Sequence, residues 1–207
     1  MKRILRFLAG LVLFCSGNTV NAQEKDWKSE AAVGVTMVLP GNWESIPQEE
    51  LRLSAEQAQK KNPSVPKQAY DCGYRDKTSR EFPSFPPYIV VQANRCGRVS
   101  EDHLKSVRKL ATAWKDAVAE VKDKSVSKSG EPLYDEAKHI VWLQMDEGKI
   151  RILIATLLTE EGVFYVYCYA SDTDFAACRP VFQKIVSNIE LSASLRYKPR
   201  AIEVPLK

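Results

Sequence analysis

Apolar side chains recur along this chain with two different periods, and the switches between them mark out its elements. "AAVGVTMVL" (residues 31–39) is apolar almost throughout and predicts a strand, ended by the turn "PGNW". Pro47 suits the first turn of a helix whose inner face is marked by Leu51, Ala55 and Ala58, and "KNPSVP" stops it. "QAYDCGY" and "PYIVVQANRCG" read as two strands around the turn-rich "RDKTSREFPSFP", an antiparallel hairpin centred near residue 84. A longer helix comes next, with Ser100 as its N-cap and Glu101 and Asp102 in the first turn. Its packing stripe is Leu104, Val107, Ala111, Trp114, Val118 and Val121, spaced by threes and fours.

The second half turns to strands. "VSKSGEPLYDE", "HIVWLQM", "KIRILIATLL" and "VFYVYCYA" succeed one another across the short turns "DEGK" and "TEEG", which predicts an antiparallel meander. "ILIATLL" is apolar at successive positions, so its strand is expected to be covered on both faces. Phe175, Cys178, Phe182, Ile185 and Ile189 then share one helical face, with Pro180 expected to kink that helix or confine its regular part to the residues after it. A sheet with apolar demand on both faces, flanked by amphipathic helices, implies an α+β fold: a three-layer α/β/α sandwich with a central, mainly antiparallel sheet. No repeat or linker divides the chain, so one domain is expected over 23–191, followed by a C-terminal tail over 192–207.

The first 22 residues are set apart by pattern rather than period. Lys2, Arg3 and Arg6 precede the short apolar run Phe7–Phe14, and Val20 and Ala22 put modest side chains where a signal peptidase looks. This predicts a signal peptide over 1–22, cleaved between Ala22 and Gln23, and therefore an exported protein, periplasmic or secreted. Cys15 suggests a lipoprotein instead, but lipid attachment needs a small residue before the cysteine and Phe14 stands there. The apolar run is about half of the roughly 20 residues a membrane helix needs, and no later segment is long enough, so no transmembrane segment is expected in the mature chain.

Removing that segment changes the charge. The whole chain carries +4, but without its three signal-region cations the remainder has 27 basic against 26 acidic side chains. A nearly neutral chain lacks the basic footprint of a nucleic-acid binder.

Export also changes how the cysteines read. Cys72, Cys96, Cys168 and Cys178 remain, an even number in an oxidising compartment, which predicts two disulfides rather than a redox or zinc site. A redox pair would favour C-x-x-C and a zinc site close ligand pairs with more histidine, and neither spacing occurs. Four cysteines allow three connectivities. The hairpin centred near residue 84 sets Cys72 opposite Cys96, and the two faces of the last strand and helix favour Cys168 with Cys178.

Candidate chemistry is sparse. No nucleophile elbow, P-loop, zincin helix or EF-hand loop is present. The two histidines, His103 in the first turn of the long helix and His139 at a strand start, have no nucleophile or carboxylate placed beside them by sequence and read as surface residues. The expectation is therefore no catalytic residue, no metal and no cofactor. Two aromatic features are candidate interaction surfaces. Tyr165, Tyr167 and Tyr169 alternate onto one face of a strand, with Trp142 on a neighbouring one, and tyrosine and tryptophan favour interfaces. A covering helix is the competing reading. Phe82 and Phe85 stand among prolines in "TSREFPSFPPY", either as an exposed loop or as a lid packed on the sheet's end.

The element order, the early "LPGNWESIP" turn and the closing "FQKIVSNIEL" helix together resemble the PsbP-like/DcrB-like superfamily of small α/β/α sandwiches, over about residues 30–191. That resemblance implies a mostly non-catalytic protein that binds proteins or complexes. The proline-rich insertion at 76–87 and the proposed disulfides depart from it. The expectation is an exported, disulfide-stapled binding protein of the bacterial cell envelope that holds an unknown protein partner through protein–protein contacts. An immunity-type inhibitor falls within that class, and the alternatives are a small-ligand carrier or an enzyme whose site the sequence does not assemble.

Overall fold

Two tight turns organise the second half of the molecule. Gly148 (φ 59°) lets the chain reverse so that Glu147 faces Ile150, and β8 (Ile140–Glu147) then pairs with β9 (Ile150–Leu158) along its whole length. A glycine at positive φ is what such a two-residue connection asks for. The next loop closes on Thr159, whose hydroxyl accepts the N–H groups of Glu161 and Gly162, and returns the chain as β10 (Val163–Ser171) against β9. The predicted meander is thus the centre of the fold.

The computed structural model describes residues 27–61, 63, 69–79, 82–84, 86–100, 102, 103, 106, 109, 128–129, 133–135 and 138–198. Among them, the remaining strands are β1 (Trp27–Ala32), β2 (Val35–Pro40), β3 (Trp43–Ser45), β4 (Cys72–Asp76), β5 (Tyr88–Asn94), β6 (Lys128–Ser129), β7 (Leu133–Asp135) and β11 (Glu190–Leu191). The larger, eight-stranded sheet has the order β3-β4-β5-β10-β9-β8-β6, with β7 also on β8, and the smaller has the order β1-β2-β11. Every pairing is antiparallel. Among the described residues, two continuous helices flank them, α1 (Gln48–Lys61) and α2 (Phe175–Ser187).

Alternation along the strands decides the layers. Ile89, Val91, Phe164, Val166 and Cys168 form one face, which packs on Phe182, Ile185 and Val186 of α2 and on Met37 and Leu39 of β2. Tyr88 and Val90 point the other way and meet Ile46 and Leu51, the latter from α1. Residues of β9 are buried on both faces, as its unbroken apolar run predicts. The chain is accordingly an α+β sandwich with a central antiparallel sheet. Phe182 is completely buried and meets Trp43 edge-on at 6.4 Å.

Several local expectations are corrected. The segment 31–39 is not one strand but the hairpin β1–β2, turned at Val33 (φ 50°) and Gly34 (φ 84°). No Asn-Gly or Asp-Gly announces that turn, and a β-branched residue rarely takes positive φ. Gly34 is also required for space, since a Cβ there would lie 2.6 Å from Leu195 Cδ1. Leu51 and Ala55 are buried as expected, but Ala58 is exposed. The closing helix runs unbroken through Pro180. Pro180 and Ala176, whose carbonyl its missing N–H would have met, are both exposed, so solvent can serve that carbonyl. The long helix expected from Ser100 onward lies largely outside the described residues; 102, 103, 106 and 109 are helical. The proposed signal segment also lies outside them.

The folded chain also continues past 191. Leu195 and Tyr197 are buried, and the segment 195–198 crosses the β9–β10 loop: Glu160 N–H donates to the Leu195 carbonyl at 3.0 Å, and Lys198 N–H to Glu160 Oε1 at 2.8 Å. Arg98 locks it down. Its guanidinium pairs with Glu160, lies 4.8 Å above the Tyr197 ring and donates to the Lys198 carbonyl at 2.9 Å.

Candidate functional site: a groove at the end of the sheet

The tyrosine stripe forms, but it is packed rather than presented. Tyr165, Tyr167 and Tyr169 share a face of β10 and are all half-buried. Adjacent rings lie 6.1 and 6.5 Å apart, and Tyr169 stacks on Tyr88 at 4.6 Å. Tyr70 meets Tyr167 edge-on, and the Tyr167 hydroxyl donates to Gln92 Oε1 at 3.2 Å. Burial, and secondarily the neighbouring phenols, raises the pKa of Tyr167 and Tyr169; burial likewise raises that of Tyr165. Phe82 closes over the end of this ladder, 4.8 Å from Tyr88, which is the lid arrangement of its loop. Phe85 lies outside the described residues.

Trp142 does not join them. Register sets it beside Ala155, which pairs with Val166, so it lies on the opposite face, half-buried against the main core. It is removed from the candidate aromatic surface.

The four cysteines are free thiols. The hairpin argument for Cys72–Cys96 fails on register: Cys72 faces Val91, and Cys96 lies beyond the end of β5, exposed, with Gly97 bonded to the Glu161 carbonyl. Cys168 and Cys178 are likewise unlinked, although both face the main core. Burial, with the Asp71 charge second, pushes the Cys72 thiol up to about 12. Burial, then Asp174 and Asp76, pushes Cys178 up to about 11, and burial raises Cys168. Such thiols stay protonated at neutral pH, which makes them poor nucleophiles and poor metal ligands.

The arrangement with chemical potential is elsewhere, at the end of the large sheet where β8 begins. Lys138 is held there by its own N–H to Asp135 Oδ1 at 3.1 Å, and its Nζ reaches the Ser187 carbonyl at the end of α2. His139 comes next with φ 51°, a left-handed conformation that is unfavourable for most side chains but less rare for histidine. Its ring lies 5.3 Å from that of Tyr197, and Nδ1 is buried with no hydrogen-bond partner among the described residues. These residues line a groove of about 540 Å³ with Ile140, the β9 end at Leu157 and Leu158, the stretch 189–191, and Arg196 and Tyr197. The expectation of two surface histidines is therefore revised: both are half-buried. His103 Nε2 is also unpartnered, but residues 101, 104 and 105 beside it are not among those described.

Sequence reasoning named His139 and missed its neighbours. Lys138, Glu190, Arg196 and Tyr197 come from separate parts of the chain and share no spacing motif. The one available signal was the alternation of Leu195 and Tyr197 in a segment expected to be a tail, which marks a strand-like crossing rather than a solvated end.

An α+β sandwich with an open groove at one sheet end is thus the class of molecule the coordinates define. No family model matches the chain, and no curated protein does. Among solved structures it is similar to the solution structure of cyanobacterial PsbP (CyanoP) from Synechocystis sp. PCC 6803, at 10% identity, covering 80% of this chain and 92% of that chain with a TM-score of 0.48. No role or partner passes from that protein to this one.

Proposed function

We propose that this chain is an exported, non-catalytic binding protein whose ligand seats in the His139 groove. One observation carries the reading: His139, held at positive φ with a buried nitrogen unpartnered among the described residues, lines an open groove of about 540 Å³. An unsatisfied buried polar atom is destabilising by about 1–3 kcal/mol and backbone strain adds to it, features that cluster at ligand sites. The volume suits a small organic molecule. Export is supported by the basic, apolar and small-residue order of the first 22 residues.

The protein-partner version of this reading asked for an exposed aromatic surface. The tyrosine rings are half-buried against one another, which moves a carrier of small ligands ahead of it. The test is a thermal-shift screen of small molecules, with hits mapped by amide shifts in 1H–15N spectra. Hits are expected to move residues 138–140, 189–191 and 196–197. Hits confined to other residues, or binding that survives His139→Asn unchanged, would overturn the groove reading.

Glu190 shares the lining with His139 and favours a second reading, an acid–base enzyme. Recovery of the bound compound unchanged after long incubation supports the carrier. A new product appearing only with the wild-type chain supports the enzyme.

A further inference from the structure

We infer that the groove takes an amphiphilic monoanion, a small carboxylate with an apolar tail; this rests on the His139 groove being a binding site. The lining divides by chemistry. Ile140, Leu157, Leu158 and Leu191 supply aliphatic wall, while Lys138 and Arg196 bring two cations against the single carboxylate of Glu190. Lys138 uses one donor on the Ser187 carbonyl at 2.5 Å, which leaves it two more.

Arg196 is exposed, and among the described residues no carboxylate pairs with its guanidinium. Its backbone is nonetheless fixed, bridged to Thr159 and flanked by the buried Leu195 and Tyr197. A guanidinium held at a groove mouth presents a planar fork that matches a carboxylate. One negative charge balances this set; a second would face Glu190 with nothing to offset it. A wholly polar anion would leave the aliphatic wall against charged groups, a desolvation penalty with no return.

The experiment titrates the chain with octanoate, 1-octanol and octylamine, reading amide shifts at 138–140 and 196–197. Octanoate is expected to bind at least roughly tenfold more tightly than octanol, as one charge-assisted pair would give. Arg196→Gln, an exposed change, should remove that advantage while leaving the melting temperature unchanged. Equal binding of octanoate and octanol, preference for octylamine, or an octanoate affinity unmoved by Arg196→Gln would overturn the anion inference and leave the groove standing as an apolar or acidic site. Absence of any shift at these residues with all three probes would overturn the groove reading as well.

Discussion

The tyrosine ladder and the His139 groove belong to the same large sheet, the ladder on β5 and β10 and the groove at the ends of β8 and β9, and both gather aromatic rings beside polar atoms. They finish that assembly differently. In the ladder each ring has another ring against it, and Phe82 and Tyr70 fill its flank. In the groove, Tyr197 packs against the His139 ring, and the buried Nδ1 has no hydrogen-bond partner among the described residues. A region that satisfies itself contributes stability, whereas one that leaves strain and an unpaired nitrogen is open to a ligand. Breaking the comparison means asking whether ladder changes cost stability and groove changes cost binding.

The largest effect is expected in the ladder. Tyr169 stacks on Tyr88 and contacts Tyr167, so Tyr169→Ala removes a ring from the best-packed part of the stripe. A loss of about 3 kcal/mol is expected in urea unfolding. A near-unchanged midpoint would mean the ladder is a surface after all, and the protein-partner reading would return to first place.

Next comes the strap that forms the groove's far wall. Arg98→Ala removes the Glu160 pair, the cation over Tyr197 and the bond to the Lys198 carbonyl together. About 1–2 kcal/mol is expected from their combined loss. Groove affinity should fall with it, because Arg196 and Tyr197 lie on the released segment; unaltered affinity would place the ligand away from this wall.

The thiols extend the packed side of the comparison to the main core and sharpen it by pH. Cys72 and Cys178 titrate higher in the folded chain, at about 12 and about 11, than an unperturbed thiol near 8.5. Folding therefore favours their protonated forms. Their contribution is fully present below about pH 8.5 and is lost as pH climbs through 11 and 12. Cys168 and the ladder phenols are shifted the same way and act with the same sign. The urea midpoint should hold through neutral pH and drop in alkali. At pH 8, iodoacetamide should label Cys96 in the folded chain and the other three only after unfolding. Four cysteines that resist labelling even when unfolded would instead mean two disulfides, and the stapled chain expected from the sequence.

How much of this is legible in the sequence depends on what each feature needs. The tyrosines' common face needs only the period of one strand, and β9's double burial needs only its unbroken apolar run. Trp142 needs the register between strands, which the two-residue turn at Gly148 sets: with Glu147 facing Ile150, Trp142 must face Ala155. That arithmetic is already contained in "DEGK". The Cys72 register is out of reach, because the 11 residues between β4 and β5 let the hairpin close at more than one offset, and it closes with Cys72 on Val91. The groove is out of reach for a different reason. Its members come from four segments that only the tertiary fold brings together, and Arg196 and Tyr197 sit in what composition marks as a tail.

The smallest expected change in stability is also the one that separates the two regions most cleanly. His139→Asn keeps a residue type that tolerates φ near 51° while removing the buried imidazole nitrogen. Losing the ring contact with Tyr197 is unfavourable, and the smaller carboxamide, which keeps a polar atom near the place of Nδ1, opens that place to water in the groove and relieves about 1 kcal/mol of unsatisfied polar burial, so the two nearly cancel. The expected outcome is a melting temperature within about 2 °C of wild type, equivalent to about 0.5–1 kcal/mol, together with loss of groove binding. A ladder residue cannot behave this way, since every ring there is packed on another. A clear fall in melting temperature with binding retained would reverse the assignment, making His139 a packing residue and the groove an incidental gap.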